Sequence, residues 1–96
     1  MSNELLKKRL KLIPTRIVEG LNHKQKRVIL NYQSDDKLNA VIRWPQRMAK
    51  ARITAVEIAN RMGTQPPRIS EWINFKREPG EENYLEVESI IFTLGG

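Results

Sequence analysis

The sequence predicts an all-α fold, a small helical domain in which two short helices are joined by a tight turn. Apolar residues recur at spacings of three and four along most of the chain, which is the period of a helix. Prolines and glycines divide the chain into segments of helical length. The 96 residues include no cysteine, so we expect one modest core without disulfide bonds or a thiolate metal site.

The first element is predicted to be a basic amphipathic helix over residues 2–12, with Ser2 as its N-cap. The apolar residues near helical spacing are Leu5, Leu6, Leu10 and Ile13. The cations expected on the opposite, solvent-facing side are Lys7, Lys8, Arg9 and Lys11. Such a helix suits an arm that reaches DNA or a dimer interface, and equally a cover for the domain's own core. A membrane-surface anchor ranks last because this segment lacks aromatic anchors.

Residues 15–43 are predicted to be helical, with a β-hairpin as the alternative. Pro14 ends the first element, and Asn22 followed by Gln25 is a capping signature for a helix that begins near His23. The stretches RVILNY and LNAVIRW are rich in β-branched and aromatic residues, however. A hairpin around residues 27–43 therefore stays open, although we favour helices.

A further helix is predicted to begin at Ser34 and to end at Trp44. Ser34 is a suitable N-cap, and the two aspartates after it suit the positive end of the helix dipole. A proline disfavours helical conformation in the residue before it, so Trp44 marks a boundary and Pro45 opens the next helix. We expect Trp44 to anchor the core or an interface rather than to stack on a base.

The stretch from Thr54 to Asn74 has the strongest local signals. Thr54 and Glu57 form a predicted capping box that starts a helix, and Gly63 ends it because glycine accepts a positive φ. Two prolines then suit the first positions of a second helix. The predicted inner faces are Ala55, Ile58, Ala59 and Met62 in the first helix, and Ile69, Trp72 and Ile73 in the second. The predicted outer face of the second helix is Pro67, Ser70, Glu71 and Asn74, with Arg68 on the flank.

The last element is predicted to be a helix over residues 84–94, after a loop with Pro79 and Gly80. Five acidic residues and no basic residue lie between Glu78 and Glu88. This helix would repel phosphate, so we expect it to face away from a nucleic acid and to serve the core or a dimer contact.

The distribution of charge favours a polyanionic partner. The formal net charge is +6. Residues 1–53 contain thirteen Lys and Arg against four Asp and Glu, whereas residues 54–96 contain four against seven. A basic chain of this kind is a candidate for phosphate binding. A cationic surface that is merely solvated fits the charge alone equally well.

The residues around the predicted turn resemble a known family. Ala59, Gly63, Ile69 and Trp72 are similar to the small, turn and core positions of phage-repressor and Cro-like (XRE-type) helix-turn-helix proteins. The flanking WPQRMAKARIT and NFKREPGEENYLEVESIIFTLG resemble that family's first helix and closing helix. Arg52 stands where the family usually has glycine. The resemblance divides the chain into a basic N-terminal extension, residues 1–40, and a DNA-binding domain, residues 41–96.

The resemblance implies a sequence-specific transcriptional regulator, a repressor of the phage or mobile-element type that binds double-stranded DNA as a homodimer. The second helix would lie in the major groove. The implied base contacts are Gln65, Arg68, Ser70, Glu71 and Asn74. The implied phosphate contacts are Arg52, Thr64, Lys76 and Arg77. Pro66 and Pro67 depart from the polar residues usual at those positions.

Two other functions are compatible with the same predicted fold. One is an accessory factor that recognises a DNA site in recombination or packaging, and the other is an antitoxin or protein-interaction module. An enzyme is not expected, because no nucleophile–base pair, carboxylate pair, glycine-rich phosphate loop or metal cluster is visible. No cofactor, metal or small-molecule ligand is implied. The absence of a long apolar run predicts a cytoplasmic protein without membrane contact.

Overall fold

The computed structural model describes residues 3–96, and all regular structure in that range is helical. The helices are α1 (Asn3–Leu10), α2 (Thr15–Val18), α3 (His23–Leu30), α4 (Asp35–Ala51), α5 (Ala55–Met62), α6 (Pro66–Ile73) and α7 (Glu81–Thr93). The predicted all-α fold is confirmed. The hairpin alternative around residues 27–43 is wrong, because this range belongs to the end of α3 and the start of α4. The predicted cap at Ser2 lies outside the described residues.

The predicted N-caps form the starts of α3, α4 and α5. The Asn22 side chain accepts a hydrogen bond from Gln25 N, and the Gln25 side chain accepts one from Asn22 N, which completes a capping box. Ser34 Oγ accepts from Lys37 N at 3.1 Å, and Thr54 Oγ1 accepts from Glu57 N at 3.1 Å. These bonds satisfy N–H groups that have no partner within a helix, so they decide where each helix begins.

Four helices have a residue with positive φ within two positions after their last helical residue. These residues are Arg52 (φ 59°), Gly63 (73°), Phe75 (61°) and Gly95 (100°). In each case the next N–H returns to a carbonyl five residues earlier, as in the 2.9 Å bonds from Ile53 N to Met48 O and from Lys76 N to Glu71 O. This is the Schellman geometry, which satisfies the carbonyls of the last turn. Arg52 therefore adopts a left-handed conformation that glycine takes without steric cost, at a cost of about 1–2 kcal/mol for its Cβ.

Helix α4 continues through Trp44 and Pro45, so the predicted boundary at Trp44 is wrong. A proline inside a helix costs about 3 kcal/mol, since it removes one hydrogen bond and clashes with the preceding turn. The continuous helix buries Leu38, Val41 and Trp44 before the proline and Met48 after it, on one side. Each such side chain contributes about 1.5–3 kcal/mol when fully buried. Burial of the whole stripe therefore outweighs the cost of the proline.

The helices enclose one hydrophobic core that includes residues from both predicted parts of the chain. Ile13, Ile29 and Tyr32 belong to the same cluster of buried residues as Trp44 and Trp72. The division predicted between residues 40 and 41 falls inside α4. The two parts thus share a helix and a core, and α1 covers that core by packing against α3.

Arg9 lies inside the fold and not on the predicted solvent-facing side of α1; only 6% of its surface is exposed. Its Nη1 donates to the carbonyl oxygens of Ile29, Leu30 and Tyr32 at 2.8–3.0 Å. Its Nε donates to Asp35 Oδ1 at 2.8 Å. The cation therefore neutralises the carbonyl end of α3. The hydrogen bond from Arg9 Nε lowers the pKa of the Asp35 carboxyl below its ordinary value.

Helix α7 and the loop before it are joined to α4 by ion pairs between the acidic and the basic parts of the chain. Glu88 accepts hydrogen bonds from Trp44 Nε1 and from Arg47 Nη1, both at 2.8 Å. Glu78 lies 3.1 Å from the buried Lys37 Nζ. The ring of Tyr84 stacks on Trp44 with centroids 6.0 Å apart, and burial raises the pKa of its hydroxyl. Some of the basic residues in the first part of the chain and some of the acidic residues in the second part therefore pair with each other and stabilise the fold.

Candidate nucleic-acid interface

Helices α5 and α6 and the turn of residues 63–65 form a helix-turn-helix. The two helices pack against each other, and α6 also packs against α4. Ile58 and Ala59 of α5 are fully buried, as is Ile69 of α6, and Trp72 is nearly so. The inner residues of α6 thus fix its position from one side, as the spacing predicts.

The opposite side of α6 is exposed. Pro67, Arg68, Ser70 and Asn74 are exposed, and Glu71 is half-buried. An open concavity runs along this side and is lined by Ala55, Pro66, Pro67, Ser70, Glu71, Asn74 and Lys76. Three of the predicted base contacts, Ser70, Glu71 and Asn74, therefore share one surface with the predicted phosphate contact Lys76. Of the other two, Arg68 lies two residues before Ser70 in α6, and Gln65 is the residue directly before the helix.

The start of α6 has few backbone donors. Prolines occupy the first two helical positions and have no N–H. The next N–H, of Arg68, donates to Gln65 O at 3.0 Å. Most polar groups at this end therefore belong to side chains such as those of Gln65 and Arg68, both of which are exposed. The pyrrolidine rings add an apolar surface that suits a thymine methyl group.

Asn74 forms the C-terminal cap of α6. Its Nδ2 donates to Ser70 O at 3.0 Å, and its own carbonyl accepts from Gln25 Nε2 at 2.8 Å. A bidentate contact with adenine needs both the amide donor and the amide acceptor. The amide nitrogen has two N–H donors and Ser70 O takes one of them, so the second N–H and Oδ1 are the groups that Asn74 has for such a contact.

Gln25 is part of the site's framework, although the sequence associates it only with the capping box of α3. Its side-chain oxygen accepts a hydrogen bond from Asn22 N, and its side-chain nitrogen donates one to Asn74 O at the end of α6. The segment around it contributes to a groove with Arg16 and with Pro45 of α4. The exposed Arg16 thus brings a cation of the N-terminal part beside the end of α6. No local sequence pattern indicates this contact, because Gln25 and Asn74 are 49 residues apart.

The predicted phosphate contacts differ in their surroundings. Arg77 Nε lies 3.6 Å from Glu71 Oε1, so a predicted clamp and a predicted reader form an ion pair. Lys76 and Arg52 are exposed, and Thr64 is half-buried. Arg52 also ends α4 two residues before the Thr54 cap of α5. The first N–H groups of α5, at Ala55 and Val56, are donors that the predicted set omits.

Comparison of the chain with protein-family models, with curated proteins and with solved structures gives no match. Within residues 3–96, no helix combines the length and the apolar character needed to cross a lipid bilayer.

Proposed function

We propose that the protein is a sequence-specific double-stranded DNA-binding regulator that places α6 in the major groove. The observation that carries this proposal is the position of α6, which is anchored from behind by Ile69 and Trp72 while its polar side is exposed. The major groove of B-DNA is about 12 Å wide and admits a helix. Helix-turn-helix proteins present their second helix in this way.

Base readout would depend on the first half of α6. The N-terminal residues of a recognition helix approach the base edges most closely. Arg68 is exposed there and can bind guanine through O6 and N7. Ser70 and Gln65 add a hydroxyl and an amide nearby. Glu71 can accept from cytosine N4 once Arg77 exchanges their ion pair for a phosphate.

Phosphate contacts would hold the helix in register. Lys76 and Arg77 follow α6 directly, and Arg52 and Thr64 lie in the turns before and after α5. Such contacts orient a protein on DNA and add affinity that is independent of sequence. Two of the acidic residues between Glu78 and Glu88 should repel DNA phosphates less, because Glu78 is paired with Lys37 and Glu88 with Arg47.

One copy reads too few base pairs for specificity, so we propose that two copies act together. Helix-turn-helix dimers bind half-sites about one helical turn apart. A homodimer in the cytoplasm, acting as a repressor of the phage or mobile-element type, is the form that the family resemblance suggests.

The proposal is tested by selection of bound sequences from random duplexes, followed by fluorescence anisotropy at several salt concentrations. We expect a recurrent motif, and an affinity that falls with salt at a slope of about 0.9 per phosphate contacted. Lys76→Ala should reduce that slope, whereas Lys50→Ala, an exposed lysine on α4, serves as the control. A random pool without enrichment, together with binding that no α6 substitution alters, would contradict the proposal.

A further inference from the structure

Helix α3 lies alongside the segment that follows α6, because both of its ends are bound to that segment. At the start of α3, Gln25 Nε2 donates to Asn74 O at 2.8 Å. Shortly after the end of α3, Gln33 N donates to Glu78 Oε2 at 2.9 Å. Residues 75–77 therefore run beside α3, and the N-terminal part of the chain borders the proposed DNA interface.

Lys24 and Arg27 form a basic pair on α3. They are three residues apart and hence lie on the same side of the helix. Both are exposed, and among residues 3–96 neither forms an ion pair with a carboxylate. Like charges one turn apart destabilise a helix slightly, so folding alone does not favour this pair.

The basic pair borders a concavity that adjoins the concavity of α6. The residues that line it are Lys24, Arg27, Val28, Asn31 and Glu78. The concavity along α6 includes Lys76, which is two residues before Glu78. The exposed Lys76 and Arg77 therefore stand between the polar side of α6 and the basic pair.

The carboxylates beside these cations are already paired. Glu78 Oε2 lies 3.1 Å from Nζ of the buried Lys37, and Glu71 Oε1 lies 3.6 Å from Arg77 Nε. Glu78 therefore balances a lysine inside the fold and not the basic pair. The positive charge of the basic pair stays available to a polyanion.

We propose that Lys24 and Arg27 bind the sugar-phosphate backbone of the duplex that α6 reads, an inference that rests on the proposed function of α6. The argument for DNA over an acidic protein is continuity, since Lys76 and Arg77 join the basic pair to the polar side of α6. A duplex that holds a helix in its major groove also brings its phosphates to the ends of that helix.

This contact would lie outside the base pairs that α6 reads. The proposed readers are in the first half of α6, whereas α3 adjoins Asn74 at its other end. The basic pair would therefore bind the backbone that flanks the motif. It would add affinity without adding sequence preference. The N-terminal part of the chain would then belong to the DNA-binding surface.

The test is fluorescence anisotropy of the full chain on its selected duplex, with the double variant Lys24→Gln, Arg27→Gln. Glutamine removes both charges and has a similar helix propensity. The salt slope should fall by about two units, and affinity at about 0.1 M salt should fall at least about tenfold. The exchange Lys24→Arg, Arg27→Lys keeps both charges and should bind like the wild type.

The matched control is the double variant Arg43→Gln, Lys50→Gln, which removes the same charge from α4. Both residues are exposed and share a concavity with Arg47, the partner of Glu88 on the acidic α7. This control should change the salt slope much less than the α3 variant does. Circular dichroism and urea unfolding verify that all variants fold as the wild type does.

Shortening the duplex tests where the contact lies. Duplexes with flanks of one helical turn, about ten base pairs, on each side of the motif are compared with duplexes without flanks. The wild type should lose affinity when the flanks are removed. The Lys24→Gln, Arg27→Gln variant should lose less, because its flanking contact is already absent.

Three outcomes would overturn the inference. They are a salt slope that the α3 variant leaves unchanged, a charge-preserving exchange that binds as weakly as the glutamine variant, and equal losses on removal of the flanks. Failure of the proposed function is distinct, because the wild type would then bind DNA without a recurrent motif. A lower slope for the α3 variant would in that case still support the phosphate contact, whereas a wild type that binds no duplex would overturn both proposals.

Discussion

Gln25 and Asn74 are joined by a hydrogen bond from the Gln25 side-chain amide to the Asn74 backbone carbonyl, with an Nε2–O distance of 2.8 Å. The other end of the same amide, Oε1, accepts from Asn22 N at 2.9 Å. One side chain therefore caps the start of α3 and the end of α6. The N-terminal part of the chain thereby holds the helix that is proposed to enter the major groove.

We expect Gln25→Glu to loosen the end of α6. A carboxylate keeps the acceptor for Asn22 N, but it loses the donor and places negative charge against the Asn74 carbonyl. Stability should fall by about 1–2 kcal/mol, and DNA affinity should fall on every sequence alike. Urea unfolding and anisotropy measure the two effects. Gln46→Glu, an exposed change of the same kind on α4, should stay within about 0.5 kcal/mol of the wild type.

Substitution of Arg68 and of Lys76 should separate base readout from phosphate binding. Arg68→Ala should relax the preference at one base position and cost about 1–3 kcal/mol on the preferred site. Lys76→Ala should weaken all duplexes equally and lower the salt slope by about one unit. Equal losses on every duplex for both variants would show that Arg68 is not a reader. Arg43→Ala, an exposed arginine on α4, is the matched control.

We expect Arg52→Gly to stabilise the fold while it weakens DNA binding. Arg52 has a φ of 59°, which glycine adopts without steric cost. Removal of the Cβ should raise the free energy of unfolding by about 0.5–1 kcal/mol, once the greater chain entropy of glycine is subtracted. The lost cation should reduce affinity on all sequences. A decrease in the free energy of unfolding would show that the backbone of Arg52 is not strained. An unchanged affinity for DNA would show that Arg52 makes no phosphate contact.

Tyr32→Phe should stabilise the protein. The Tyr32 hydroxyl is buried without a hydrogen-bond partner among the described residues. Burial raises its pKa, and the negative charge of Glu78 raises it further. An unpaired buried hydroxyl costs about 1–3 kcal/mol, so we expect a gain of about 1 kcal/mol in urea unfolding. Tyr84→Phe, at the half-buried tyrosine of α7, should change stability less.

The hydrogen-bonded pair of Arg9 and Asp35 should make the free energy of unfolding depend on pH. The hydrogen bond from Arg9 lowers the pKa of Asp35 below its ordinary value of 3.8. Because the folded pKa is the lower one, the ionised carboxylate stabilises the fold above about pH 3.8, and this contribution is lost as the pH falls through the folded value. Asp35→Asn should therefore differ most from the wild type near neutral pH.

Thermal unfolding between about pH 2 and pH 7 measures this difference. The two melting curves should converge at the acid end, where the wild-type carboxyl is protonated. Asp36→Asn is the control, because Arg9 does not bind that neighbouring carboxylate. A gap between wild type and Asp35→Asn that stays constant with pH would rule out the linkage.

The sequence alone determined the starts of α3 to α6, the end of α5 and the two sides of α6. The last helix begins at Glu81, before the predicted residue 84. N-caps such as Asn22, Ser34 and Thr54 act within four residues, and Gly63 ends α5 through its own backbone conformation. The burial of Ile69 and Trp72 follows from helical spacing. These features depend on local geometry, which a short stretch of sequence contains.

The tertiary structure decided the features that local rules misjudge. Pro45 stays inside α4 because the helix around it fills the core. Phe75 accepts a φ of 61°, since burying an aromatic ring contributes about 1.5–3 kcal/mol against a conformational cost of about 1–2 kcal/mol. Leu6, Arg9 and Leu10 share one side of α1 by helical spacing, which agrees with the burial of Arg9. The acceptors that hold its side chain lie on α3 and α4.

The contact between Gln25 and Asn74 joins residues 49 positions apart, and that between Arg9 and Asp35 joins residues 26 apart. Their free energies arise only when distant segments meet, so no local pattern encodes them. The turn and the two faces of the helix-turn-helix were therefore readable from the sequence. Its support by the N-terminal part of the chain was decided by packing.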